Sequence, residues 1–185
     1  MDCSRFLALA LVLASAAAPQ TASAQHADVV FVSVRGAGGF VAYPQLGGVD
    51  GVFEAVAGAN IPIWSVDEPA PREGWGLSIE AGTMLNTGPH IGGAVHGILS
   101  VGFDYRFDFL AMGPVASFYV GGGARDLSVG GRLGYRIELL FGILGAEVTL
   151  DGRGYGGEAL FGLDARAMID VGALTEIVVA LATNG

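Results

Sequence analysis

Residues 101–109 read VGFDYRFDF: every odd position is Val, Phe or Tyr, and the even positions are Gly102, Asp104, Arg106 and Asp108. A β-strand sends successive side chains to opposite faces, so this stretch has one apolar face and one charged face. The pattern recurs. In 75–85, Trp75, Leu77, Ile79, Ala81, Thr83 and Leu85 oppose Gly76, Ser78, Glu80, Gly82 and Met84. In 128–138, Val129, Leu133, Tyr135 and Ile137 oppose Ser128, Gly130, Arg132, Gly134, Arg136 and Glu138. In 157–168, Ala159, Phe161, Leu163, Ala165 and Ala167 oppose Glu158, Leu160, Gly162, Asp164, Arg166 and Met168. Helical periodicity is poor throughout, so the chain reads as all-β.

Nine runs of this kind are expected, at 28–36, 51–61, 75–85, 92–106, 109–120, 128–138, 141–150, 157–168 and 172–182. Connections are expected at 44–51, 64–74, 86–92, 121–126 and 151–157, with tighter turns near Phe107-Asp108, Leu139-Leu140 and Asp170-Val171. A closed up-and-down barrel of antiparallel strands has an even number of them. Eight is the preferred count, reached by removing a weak N-terminal run (28–36 or 51–61) from the wall and making 37–74 a long loop or partial plug. Ten is the alternative. Ahead of the runs, Arg5, the apolar stretch Phe6–Ala18 and Ala22-Ser23-Ala24 make residues 1–24 a cleaved signal peptide, with 25–185 a single domain. The lone cysteine, Cys3, leaves with that segment, and no disulfide or thiolate metal site remains.

Parity alone does not say which face is outside. The polar face decides it: a water-facing strand surface carries extended charged side chains, whereas here that face is mostly Gly, Ser and Ala with isolated charges. Small residues suit the crowded interior of a narrow barrel. The charges come in both signs and can pair across a lumen: Arg35, Arg106, Arg132, Arg136 and Arg166 with Glu54, Glu80, Asp104, Glu138, Glu147, Glu158, Asp164 and Glu176. Charged residues are 15% of the chain and Gly is 31 of 185, against about 25% and 7% in ordinary soluble domains. The expectation is therefore a closed, antiparallel, up-and-down transmembrane β-barrel with lipid outside and a lumen filled by side chains. Trp64, Trp75, Tyr105, Tyr119 and Tyr155 fall near expected strand ends, where amphipathic rings anchor at bilayer interfaces.

With GGRLGYRIEL (130–139) and VGFDYRFDF (101–109) as its clearest wall segments, the chain resembles the small outer-membrane β-barrels of Gram-negative bacteria, the OmpA- and OmpX-like group. The resemblance spans roughly 28–182 and rests on architecture. It implies antiparallel strands, a cell outer-membrane location, and two partners: the lipid bilayer and the outer-membrane assembly machinery.

Chemistry is sparse. All nine basic residues are arginine, so a Walker lysine, a Schiff base and a Ser–Lys dyad are excluded. A net charge of −9 disfavours nucleic acid, whose phosphates need a basic face. His96 shares the parity of Ser100, Asp104 and Arg106 and is expected on the lumen face. It is read as hydrogen-bonded to a carboxylate, and His96 with Ser100 cannot form a dyad, being four residues apart on one strand. No catalytic, cofactor or metal residues are assigned. The expected role is structural or surface-interactive and not enzymatic. The alternatives are a soluble lipocalin-like barrel with a small apolar ligand inside, and a lipid-modifying barrel enzyme using His96.

Overall fold

A computed structural model of the chain describes residues 31–65, 73–107, 109–123, 127–140 and 142–183. Eight strands form the wall: β1 (Phe31–Tyr43), β2 (Gly48–Ser65), β3 (Glu73–Thr87), β4 (Ala94–Phe107), β5 (Leu110–Gly122), β6 (Leu127–Leu139), β7 (Leu144–Tyr155) and β8 (Glu158–Asp170). Each pairs antiparallel with its sequence neighbours, and β8 returns to β1, closing the barrel. A helix, α1 (Val171–Thr183), follows β8.

The register fixes the barrel's shape. Partners followed from Phe31 through Asn60, Ser78, Gly102, Val115, Gly134, Thr149 and Asp164 return to β1 at Val41, a stagger of ten residues. Eight strands with that stagger tilt by about 40° and enclose a backbone radius of about 8 Å. Strands of 12 to 18 residues then make a wall roughly 30 Å tall at ~3.3 Å per residue.

At one end, the mouth, lie the 3₁₀ turn Pro44–Leu46, loop 88–93, the β5–β6 connection and the Gly156-Gly157 turn. Gly156 and Gly157 have φ of 59° and 86°, the left-handed pair that a two-residue hairpin requires. At the other end lie the start of β1, the end of β8, and the β2–β3, β4–β5 and β6–β7 connections.

A radius this small crowds the inner face. A Cβ at inward-facing Gly82 would lie 2.7 Å from Val56 Cα and closer still to the Ala55 carbonyl; Gly58, Gly113 and Gly134 are held against neighbouring backbone in the same way. Glycine is there for close approach, because a strand interior otherwise disfavours it. Gly82→Val is expected to cost about 1–3 kcal/mol by overpacking, while Ala81→Val on the exposed face should be near neutral. Chemical-denaturation midpoints in detergent check this.

Three expectations need correction. Both N-terminal runs belong to the wall, the described part of the first (31–36) in β1 and the second in β2, and apart from the turn at Pro44–Leu46 the segment 37–65 is wall and neither long loop nor plug. The run left over is the ninth: 172–182 lies in α1. Asp170 caps that helix, its Oδ1 accepting from Ala173 N at 3.0 Å and from Val34 N at 3.2 Å. A closed sheet leaves a ninth strand little edge to join, and the short apolar segment takes the helical alternative with its cap in place. Third, 151–155 is strand and not loop, so the hairpin turn shrinks to Gly156-Gly157. Residues 1–24, expected to be a signal peptide, and most of the 64–74 connection lie outside the described residues.

Candidate functional site: the filled lumen

Parity sorts the wall cleanly. Among the described residues, the one charged residue at an outward register position is Glu73, the first residue of β3 at the terminus rim; the other outward positions are Gly, Ala, Pro and larger apolar residues, with Thr83 and Thr87 the polar exceptions. Leu133, Leu150, Phe53, Phe118 and Phe161 are all more than half exposed. Near the terminus end, Trp75 stacks on Phe103 with centroids 4.9 Å apart and meets Tyr105 at 4.9 Å, a ledge of aromatics on the outer face.

The inward positions fill the bore in three layers. Nearest the termini, Ser33 Oγ donates to Asp170 at 2.6 Å, and Asn60 Nδ2 donates to Asp104 at 3.2 Å. The middle layer is a continuous ion-pair network. Arg35 lies 2.9 Å from Glu80 and 2.8 Å from Glu138. Arg136 lies 3.0 Å from Glu80 and 3.1 Å from Glu147. Arg132 lies 2.7 Å from Glu54 and 3.1 Å from Asp164. Arg166 completes it with Glu54 at 2.5 Å, Asp164 at 3.0 Å, and Glu147. These side chains are all 6% exposed or less. A lone buried charge would cost several kcal/mol, and alternation of sign with shared hydrogen bonds is what makes this layer tolerable.

Toward the mouth the lumen turns aromatic and apolar. Asp151 accepts from Tyr43 Oη at 2.7 Å and Tyr119 Oη at 2.6 Å. The Arg153 guanidinium lies 4.9 Å from the Tyr119 ring centroid and donates to Asn86 Oδ1 at 3.2 Å. Around them pack Val41, Val52, Met84, Ala94, Ile98 and Leu160. Loop 88–93 shuts this end: Asp50 accepts from His90 N at 3.3 Å and Ile91 N at 2.9 Å, approaches His90 Nδ1 at 3.0 Å, and Ile91 is buried.

Most of the sequence-derived lumen set comes together. Arg35, Glu80, Asp104, Arg132, Arg136, Glu138, Glu147, Asp164 and Arg166 are buried inside, and Arg106 sits at the terminus rim, 3.8 Å from Asp104 and one-third exposed. Two members do not join. Glu158 is exposed at the tip of the β7–β8 hairpin, beyond the bore, and Glu176 lies on α1 instead of a wall strand. Tyr119 is also misplaced by the aromatic-anchor expectation: it is fully buried in the lumen. Asp151 and Arg153 escaped notice because a glycine-rich run was read as loop, although Glu147, Thr149, Asp151 and Arg153 continue one unbroken inward parity.

His96 is inward and fully buried, as its parity implies, but its partner is a hydroxyl: Nε2 lies 2.5 Å from Ser128 Oγ. Ser100 pairs instead with Ser117 at 2.9 Å. A His–Ser contact is the geometry of a base and a nucleophile, yet here both residues face into a packed bore, with the His96 ring edge-on to Tyr119. The contact bridges β4 and β6 over Gly121 of β5, the register partner of both residues. Among the described residues no group of three or more His, Cys, Asp or Glu is arranged to hold a metal ion. Comparison of the chain with protein-family models, with curated proteins and with solved structures finds no match.

Proposed function

We propose that the chain is an outer-membrane β-barrel whose wall is solvated by lipid, whose lumen is a stabilising plug of ion pairs, and whose role is structural or exerted through its exposed connections. The observation that carries this reading is the sign of the wall: the charges of the strand interiors lie inside, and, but for Glu73 at the rim, the outward register positions among the described residues are uncharged all the way round. In water that outer surface would be a contiguous apolar area far beyond the few hundred Å² that soluble monomers expose. In a bilayer it is the expected surface of a spanning barrel, and a wall of roughly 30 Å matches the apolar core. The OmpA/OmpX-like kinship, delivery by a cleaved signal peptide and assembly by the outer-membrane machinery belong to the same proposal.

A lipocalin-like carrier would need its apolar faces inside, around a cavity. Here Val101, Phe103 and Tyr105 face outward, and the bore is occupied by guanidinium–carboxylate contacts and a tyrosine-capped apolar layer. A lipid-modifying role for His96 has geometry in its favour only at the Ser128 contact, which sits inside the packing and not at the outer wall.

The test is heat-modifiability of the exported chain recovered from the outer-membrane fraction. A closed membrane barrel should migrate faster in SDS unboiled than boiled. Recovery in the soluble periplasm with no mobility change overturns the proposal.

A further inference from the structure

Val171, Leu174 and Val178 on α1 are 53%, 43% and 57% exposed. Spaced i, i+3 and i+7, they line one side of the helix. Another shoulder of the first turn is seated on the barrel: a Cβ at Gly172 would lie 2.6 Å from the Val32 carbonyl and 3.0 Å from Val34 N. There β1 extends past its last β8 partner, since the β1–β8 register stops at Arg35 and Asp170.

Three features fit this helix to an apolar medium. Its 13 residues, VGALTEIVVALAT, contain a single charged residue, Glu176; a helix facing water would present a polar stripe. It starts two residues after Ile169, an outward wall residue that is 53% exposed, so its apolar side continues the barrel's outer belt. Polar groups near its start are satisfied internally, Ala173 N by Asp170 and the exposed Thr175 hydroxyl by the Val171 carbonyl at 2.8 Å. Polar groups that meet lipid need such internal partners. At 1.5 Å per residue the helix is about 20 Å long, too short to cross a bilayer.

We propose that α1 is a lipid-contacting collar: it lies in the leaflet at the terminus end of the barrel, with Val171, Leu174 and Val178 against acyl chains and its first turn clamped to β1 through Asp170. This rests on the outer-membrane reading above, and names the bilayer as the partner of a second surface besides the wall. Helices of this kind bind by burying apolar area at the headgroup boundary.

The test is site-directed spin labelling in a Cys3→Ser background, with single cysteines at Val178, Phe103 and Glu158, in vesicles of phosphatidylethanolamine and phosphatidylglycerol. The wall position 103 reports lipid and the hairpin tip 158 reports water. Position 178 should match 103, colliding freely with oxygen and little with a neutral nickel chelate. Nickel access at 178 equal to that at 158 overturns the proposal, as does shielding from both reagents, which would mean a protein cover such as a second copy. If 103 itself reports water, the outer-membrane reading fails and the collar with it.

Discussion

Replacing Arg136 with leucine is expected to lower the barrel's unfolding free energy in detergent by about 3–5 kcal/mol, the cost of breaking a buried ion pair from one side. The guanidinium holds Glu80 at 3.0 Å and Glu147 at 3.1 Å and lies 3.9 Å from Glu138. Each carboxylate has a second cation, Arg35 for Glu80 and Glu138 and Arg166 for Glu147, so the network is frayed rather than emptied. Glu80→Leu and Arg132→Leu should move the unfolding midpoint in the same direction. Phe103→Leu should be mild, because the ring lies outside and gives up mainly its stack on Trp75, worth about 0.5–1.5 kcal/mol. The double variant Arg136→Leu/Glu80→Leu should cost less than the two single losses added, since each removes the other's stranded charge. Equal midpoints for Arg136→Leu and Phe103→Leu would refute the inside–outside assignment.

Leu133→Arg should cost about 2–4 kcal/mol when the protein folds into lipid vesicles, and Leu127→Arg only about 0–1, because the penalty for a charge on a lipid face falls with distance from the midplane. Both leucines are on β6, both face outward, and both are well exposed, at 63% and 72%. They differ in height: Leu133 is the central residue of the strand and Leu127 its first residue at the mouth. A wall bathed in water would show no such difference and would, if anything, gain solubility from either arginine. Reversible urea titration of the two variants in the same vesicles reads the contrast directly.

The sequence carried the wall because the strand period is two and the two faces differ in chemistry, so Glu80, Arg132, Arg136 and Asp164 could be placed inside before any partner was known. Contrast was weakest at the N-terminal strands. Outward positions there include Gly36, Gly38, Ala55, Ala57 and Ala59, small residues that blur the alternation, and the pairing partners rather than hydrophobicity keep 37–65 in the wall. The ninth run failed for the opposite reason. A short apolar segment satisfies both periods, and the choice was made by a closed sheet and by Asp170 as a cap. The His96–Ser128 contact joins residues 32 apart in sequence that share one register row on either side of β5, a neighbourhood that no local pattern announces. Glu158 had the right parity at the wrong height: inward direction means lumen only while there is wall on the far side.

The β1–β8 seam has a consequence in time. Its two strands come from opposite ends of the barrel sequence, and the charges that must meet are divided between them and the rest: Arg35 on β1 reaches Glu138 on β6, and Arg166 on β8 reaches Glu54 on β2. A curved sheet whose seam is still open would hold several of those carboxylates and guanidiniums without their partners, and in the proposed bilayer setting lipid would offer no substitute. Half-zipped states are therefore costly, and such distant pairings are slow to form. Insertion should behave as one cooperative event, with the last hydrogen bonds of the seam and the first complete set of ion pairs arriving together.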